Sequence, residues 1–290
     1  MSELPRLING ITSYLSLTKP GILMGNLITA AAGFALISRE SWDVPLLTAM
    51  LSGLALVMAS GCAFNNYLDR RADEKMSRTK NRPLATGSIP LRHALLFATI
   101  LCCAGACTLL FYTNILTTVI ALAGFFVYVA LYTIWKYRTV HATLIGSIAG
   151  ATPPVVGYCA VSHSLDLPSL ILFVTLVLWQ MPHFFAIAIF RLDDYAAASI
   201  PVLPLKRGFH ATKIQMLLYT IAFIIVALSL FFFGYAGYGY MTTLIVLGGA
   251  WLILTIQGFK VENHKQWARK MFLFSLAIIT SLSFMIILRL

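Results

Sequence analysis

Charge is scarce in this sequence, and negative charge scarcest: Asp and Glu number 10 against 21 Lys and Arg, and all four types make up 11% of 290 residues. Apolar residues make up 59%. Too few polar side chains remain to coat a soluble globule of this length, which excludes the soluble and the disordered classes. The five cysteines (Cys62, Cys102, Cys103, Cys107 and Cys159) form no Cys-x-x-Cys pair, which excludes the usual zinc and redox motifs. Each falls within an apolar stretch and reads as a buried small hydrophobe. Met1 to Pro20 is polar, and no small-residue cleavage site follows the first apolar stretch, so no cleavable signal peptide is expected.

What is present is a series of apolar windows long enough to cross a bilayer, allowing for tilt and broken helices. They run over Ile22–Ile37, Leu46–Asn66, Ala94–Tyr112, Ile115–Ile134, Thr143–Val161, Leu167–Phe190, Ile214–Gly234, Met241–Gln257 and Met271–Leu288. The expected fold is an all-α membrane protein with nine transmembrane helices, a single polytopic domain over residues 1–290. A net charge of +11 would suggest nucleic acid in a soluble chain. Here its distribution explains it: with the amino terminus and every second loop on one side, all Lys and Arg except Arg39 and Arg289 share that side. By the positive-inside rule that side is cytoplasmic, which puts the carboxyl terminus outside. No nucleic-acid partner is expected. The outer connections are short, so chemistry belongs to the inner side or the membrane interior.

The densest charge is the run from Asn65 to Pro83, which follows the second window and leads into a hydrophilic loop over Arg70–Arg92, too long to be only a turn. Asn65, Asp69 and Asp73 recur every four residues and lie on one helix face. The carboxyl end of a helix already carries partial negative charge and disfavours carboxylates, so a cation is expected beside them. Mg²⁺ meets that demand, because it takes oxygen ligands, keeps waters, and is held by one or two carboxylates together with substrate phosphates. The basic residues that follow would meet those phosphates. The alternative is a hydrated basic loop that only sets topology.

Other motifs sit on the same side. Thr18-Lys19-Pro20-Gly21 marks the edge of the first helix, and Trp135-Lys136-Tyr137-Arg138 closes the fourth with aromatic anchors and two cations. Ala151-Thr152-Pro153-Pro154 breaks the fifth helix, freeing carbonyls that protein or a cavity must satisfy. The sixth carries Trp179-Gln180-Met181-Pro182-His183 and ends in Phe190-Arg191-Leu192-Asp193-Asp194-Tyr195, again carboxylates at a helix end on the cytoplasmic side. His183 at membrane depth is a candidate ligand or proton carrier, or is satisfied by a neighbouring helix.

Asn65-x-x-x-Asp69-x-x-x-Asp73 resembles the first acidic motif of the intramembrane prenyltransferases typified by 4-hydroxybenzoate polyprenyltransferase. Together with Ala151 to Tyr158, Trp179 to His183 and Phe190-Arg191-x-x-Asp194-Tyr195, the resemblance narrows to the heme O synthases, or protoheme farnesyltransferases, and covers nearly the whole chain. It implies a nine-helix bundle around a central cavity open near the cytoplasmic side, with farnesyl diphosphate and Mg²⁺ at its mouth. The implied reaction joins a farnesyl group to a vinyl group of heme b with addition of water. Asn65, Asp69 and Asp73, with Asp194, would hold the metal. Arg78, Lys80, Arg82 and Arg191 would take the diphosphate, and His183 is a candidate heme contact. Phe190 stands where the superfamily's second motif has an earlier Asp, which agrees with the heme O synthase version and limits what the sixth helix gives the metal.

The resemblance also implies a bacterial inner-membrane location and transfer of product to a downstream heme-modifying enzyme or terminal oxidase. The nearest rival is a prenyltransferase with an aromatic quinone-precursor acceptor. A secondary transporter is the rival of another class, although transport needs no Asn-Asp-Asp face beside a basic loop.

Overall fold

The computed structural model describes residues 3–38 and 42–290; Arg39, counted above on the outer side, lies outside them. Nine helices among the described residues are long and apolar enough to cross a membrane. A helix α1 (Glu3–Leu17) precedes them. The spans are α2 (Pro20–Ile37), α3 (Val44–Asp73), α4 (Leu91–Tyr112), α5 (Ile115–Trp135), α6 (Ala142–Ser162), α7 (Leu167–Phe190), α9 (Leu203–Phe232), α10 (Tyr238–Lys260) and α11 (His264–Ile287), with the short α8 (Leu192–Ala197) between α7 and α9.

Three boundaries differ from the hydropathy windows by about seven residues or more, each for a local reason. Helix α3 runs on past Asn66 to Asp73, because Asn65, Asn66, Asp69 and Asp73 are all buried and partnered. Arg70 and Arg71 in its last turn offset the helix dipole that made carboxylates unwelcome there. Helix α9 begins at Leu203 rather than Ile214; its first turn is broken from the span at Gly208, whose φ of 76° favours glycine. Helix α11 begins at His264, capped by the Asn263 side chain, which accepts from Gln266 N at 3.0 Å. The expected break in α6 is present: Ala142–Gly150 and Thr152–Ser162 are separate helical pieces, with proline in the first turn of the second.

Lipid tails are as apolar as leucine, so close backbone approach and dispersion hold such helices together rather than water exclusion. Helices α2 and α6 form the middle layer and show this directly. A Cβ on Gly157 would lie 1.9 Å from Ala30 O, and one on Gly33 would lie 1.9 Å from Pro154 O. Gly157→Ala is therefore expected to lower stability by roughly 1–3 kcal/mol or more, read as a drop in detergent thermal unfolding temperature. On one side of this layer, Ala30, Phe34, Met50, Leu54, Leu109 and Val156 form one apolar cluster with α3, α4 and α5. On the other, Ala32, Val155, Trp179, Met216, Trp251 and Ile278 form a second with α7, α9, α10 and α11.

The cysteine expectation holds only in part. Cys62 and Cys159 are buried, whereas Cys103 and Cys107 are exposed on α4, which presents them to lipid.

Candidate active site

The two halves of the bundle meet at one end, where the basic connections gather. Asn65, Asp69 and Asp73 are exposed by only 3%, 6% and 4%, so each polar group must find a partner. All do. Asn65 Nδ2 donates to Asp69 Oδ2 at 2.9 Å and to Thr133 Oγ1 at 3.1 Å. Lys19 Nζ donates to Asn65 Oδ1 at 2.6 Å, across 46 residues of chain. Asp69 also accepts from Lys136 Nζ, and from the Tyr137 hydroxyl at 2.8 Å. Arg82 Nη1 donates to both oxygens of Asp73, at 3.0 and 2.9 Å.

Local backbone features serve this arrangement. Lys19 caps α2 in the left-handed region at φ 53°, which costs an L-residue about 1–2 kcal/mol. Helix α5 opens into π-helical turns over Val127–Tyr132, and Thr133 Oγ1 donates back to Tyr128 O at 2.9 Å. That turn sets Thr133, Lys136 and Tyr137 against α3, a role π-turns often play at functional sites. Burial pushes Lys19 down to about 8. Burial lowers Lys136 as well, with Asp69 opposing the shift, and burial together with Asp69 raises the Tyr137 phenol.

Asp194, at the start of α8, has partners of its own. Its Oδ1 accepts from Ser77 N at 2.8 Å and Ser77 Oγ at 2.7 Å, while Met76 packs with Ala198 and Ile200. Burial pushes this carboxyl up, but the two Ser77 bonds, Arg191 and Arg78 outweigh it and hold it below its ordinary value. The loop after α3 is thus latched to the α7–α9 connection. Charge-assisted bonds of this kind contribute about 1.5–3 kcal/mol, so Asp194→Ala is expected to speed trypsin cleavage at Arg78 and Lys80 by roughly tenfold or more. Equal cleavage of wild type and variant would contradict the latch.

Of the expected site residues, Asn65, Asp69, Asp73 and Arg82 come together, and Arg78 and Arg191 lie near Asp194. Lys80 is exposed on the loop. His183 lies within α7, stacked on Trp179 at 4.8 Å and bonded through Nδ1 to Ser275 Oγ at 2.7 Å. No group of three or more His, Cys, Asp or Glu among the described residues is placed to hold a metal. A groove of about 410 Å³ between α6, α7 and α9, lined by residues such as His141, Met181 and Tyr219, contains none of the expected residues.

In the sequence Lys19 reads as a membrane-edge marker, Lys136 and Tyr137 read equally as anchors or as phosphate-binding residues, and neither Thr133 nor Ser77 stands out. The same side chains serve both as anchors and as partners of the acidic face.

The donor set fits Mg²⁺. It is all oxygen and buried, and Asn65, Asp69 and Asp73 are each bonded to a cation, Lys19, Lys136 and Arg82, whose place at these oxygens a metal would take. Two carboxylates and an amide leave positions open, as suits an ion that keeps waters and takes phosphate oxygens.

This fold belongs to a known class. The UbiA prenyltransferase family model matches residues 26–277, and the chain belongs to that family of membrane prenyltransferases. Its similarity extends to particular members: it is 54% identical over 273 residues to protoheme IX farnesyltransferase of Protochlamydia amoebophila (strain UWE25), covering 94% of this chain and 96% of the relative. It is 50% identical over 276 residues to the protein of the same name from Cronobacter sakazakii (strain ATCC BAA-894), covering 95% of this chain and 94% of that one. Among solved structures, a UbiA homolog from Archaeoglobus fulgidus bound to DMAPP and Mg²⁺ superposes with a TM-score of 0.70 at 18% identity, covering 96% of this chain and all of that one. A structure of digeranylgeranylglyceryl phosphate synthase reaches 0.79 at 20% identity, covering 96% and 98%. These two share the fold.

Proposed function

We propose that this protein transfers a farnesyl group from farnesyl diphosphate to a vinyl group of heme b, with addition of water, giving heme O and diphosphate. The observation that carries the reading is the 54% identity over 94% of the chain to a protoheme IX farnesyltransferase. The site supplies the chemistry.

Asn65, Asp69 and Asp73 would hold Mg²⁺, which neutralises the leaving diphosphate. The residues that now face those groups have the charge to take phosphate oxygens. Lys136 and Arg82 are set against the carboxylates Asp69 and Asp73, and Lys19 against the Asn65 amide oxygen. Arg78, Arg191 and Lys80 add charge at the rim, and Asp194 serves through the loop it holds. Preorganised positive charge at the site of developing negative charge is the largest single contribution in many enzymes.

The C–O bond to farnesyl breaks and its electron pair leaves with diphosphate. The vinyl π pair then forms the new C–C bond to the allylic cation, and water adds to the carbon left electron-poor, releasing a proton. The loop latched by Ser77 and Asp194 would keep bulk water from the cation before the vinyl group reaches it. A bilayer setting suits both substrates, since each buried CH₂ of the prenyl tail contributes about 0.8 kcal/mol. His183 would meet the heme iron. The basic end would face the cytoplasm at the bacterial inner membrane, with the amino terminus inside, the carboxyl terminus outside, and product passed to a heme-modifying enzyme or terminal oxidase.

Competition between acceptors tests the assignment. Purified protein given farnesyl diphosphate, Mg²⁺, heme b and 4-hydroxybenzoate together is expected to yield one new species by mass spectrometry, heme heavier by a farnesyl and a hydroxyl group. A farnesylated benzoate with heme unchanged would move the protein to the quinone-precursor enzymes.

A further inference from the structure

The heme contact proposed above rests on an imidazole held from several sides. His183 lies in α7 about 10 Å along the helix from its end at Phe190, taking 1.5 Å per residue. Its ring stacks on Trp179 (4.8 Å, 25°) and leans on Phe272 (5.0 Å, 39°). Trp179 is itself pinned, its indole Nε1 donating to Ser275 O at 3.0 Å.

The decisive group is the Ser275 hydroxyl, which is fully buried. A serine hydroxyl has one proton to give. Ser275 Oγ lies 2.6 Å from Phe272 O, a carbonyl that can only accept, so the proton goes there. Toward His183 Nδ1, at 2.7 Å, Ser275 Oγ must therefore accept, and Nδ1 carries the hydrogen. Nε2 is then the nitrogen with the free lone pair. It has no hydrogen-bond partner among the described residues, and it is absent from the sealed, unpartnered polar atoms there, namely the Thr117, Thr175 and Thr220 hydroxyls and Trp251 Nε1. Nε2 is therefore neither bonded nor fully sealed, in a residue that is 8% exposed.

We infer that Ser275 is a positioning residue that fixes the His183 tautomer and so presents Nε2 as the ligand for the iron of the porphyrin acceptor. The inference rests on the function proposed above and adds which atom binds and what orients it. Histidines that bind metal almost always give their other ring N–H to an oxygen acceptor, and loss of that acceptor typically costs 10- to 100-fold in metal affinity. Here the acceptor is supplied by α11, so the ligand on α7 is set by a different helix.

The test is spectroscopic and needs no turnover. Full-length protein in detergent is titrated with ferric protoporphyrin IX and, separately, with iron-free protoporphyrin IX, as wild type, Ser275→Ala, Ser275→Thr and His183→Ala. Ser275→Ala is expected to shift the Soret band of bound ferric heme and weaken its binding by roughly 10- to 100-fold. Ser275→Thr, which keeps the hydroxyl, is expected to restore the wild-type band. Iron-free porphyrin should bind all four proteins alike, which also shows that the variants are folded. An unchanged Soret band and affinity in Ser275→Ala would overturn the inference and leave heme binding intact. Equal loss of both porphyrins in that variant would also overturn it, because Ser275 would then shape the pocket rather than the ligand. A wild type that binds neither porphyrin would remove the proposed function itself.

Discussion

Asp69→Ala is expected to lower kcat for farnesyl transfer by about 10³-fold or more, since it removes the carboxylate at the centre of the acidic face. Asp69 is the best-connected group there, accepting from Asn65, Lys136 and Tyr137. Its loss leaves Lys136 buried without a counter-ion, so reduced folding could imitate reduced catalysis. Asp69→Asn separates the two. With its amide oxygen in the place of Oδ2 it accepts from Lys136 and Asn65, and its NH₂ can donate to the Tyr137 hydroxyl oxygen, so the hydrogen bonds are kept while the charge that would bind metal is gone. Steady-state kinetics of both variants beside their thermal unfolding is the check. A folded Asp69→Asn enzyme within tenfold of wild-type kcat would exclude Asp69 from the metal site.

Lys136→Ala is expected to destabilise the protein by about 3–5 kcal/mol in the absence of divalent ions, because it strands a buried carboxylate. Asp69 is nearly inaccessible, and only 11% of the Lys136 side chain is exposed, so solvent does little to screen the pair. The same variant should be strongly stabilised by Mg²⁺, which would occupy the position the ammonium vacates. An ion at 100 times its dissociation constant adds about 2.7 kcal/mol to the folded state. Wild type should respond less, since there the ion must displace Lys136 first. Thermal unfolding in detergent with Mg²⁺ and with chelator reads both effects. A variant that Mg²⁺ stabilises no more than wild type would mean that the ammonium does not stand in for a metal.

These expectations show which parts of the protein are written locally in the chain. The nine spans are legible because an apolar stretch of about 20 residues has few other uses. Boundaries were lost where a helix continues on mixed residues. Tyr67 to Asp73 looks like hydrophilic loop, yet is helical because Lys136, Tyr137 and Arg82 take up Asp69 and Asp73; Leu203 to Lys213 is helical on both sides of the break at Gly208, with Lys206, Arg207 and His210 left exposed. The acidic face was legible for the same reason that a helix is, a four-residue period. Its counter-ions were not, since Lys136 and Tyr137 lie 67 and 68 residues away and Ser77 lies 117 residues from Asp194. Nothing in the local sequence separates a lysine that meets lipid headgroups from one that meets Asp69. The Ser275 bond to His183, across 92 residues, is invisible in the same way.

The central claim is that the Asn65–Asp69–Asp73 face drives metal-dependent farnesylation of heme. The most direct measurement is mass analysis of heme recovered from purified enzyme with farnesyl diphosphate in ¹⁸O-water, with Mg²⁺, with chelator, and in Asp73→Ala. A farnesylated, ¹⁸O-labelled heme formed only by wild type with Mg²⁺ is the predicted result. The same product formed at an undiminished rate with chelator present, or by Asp73→Ala, would contradict it.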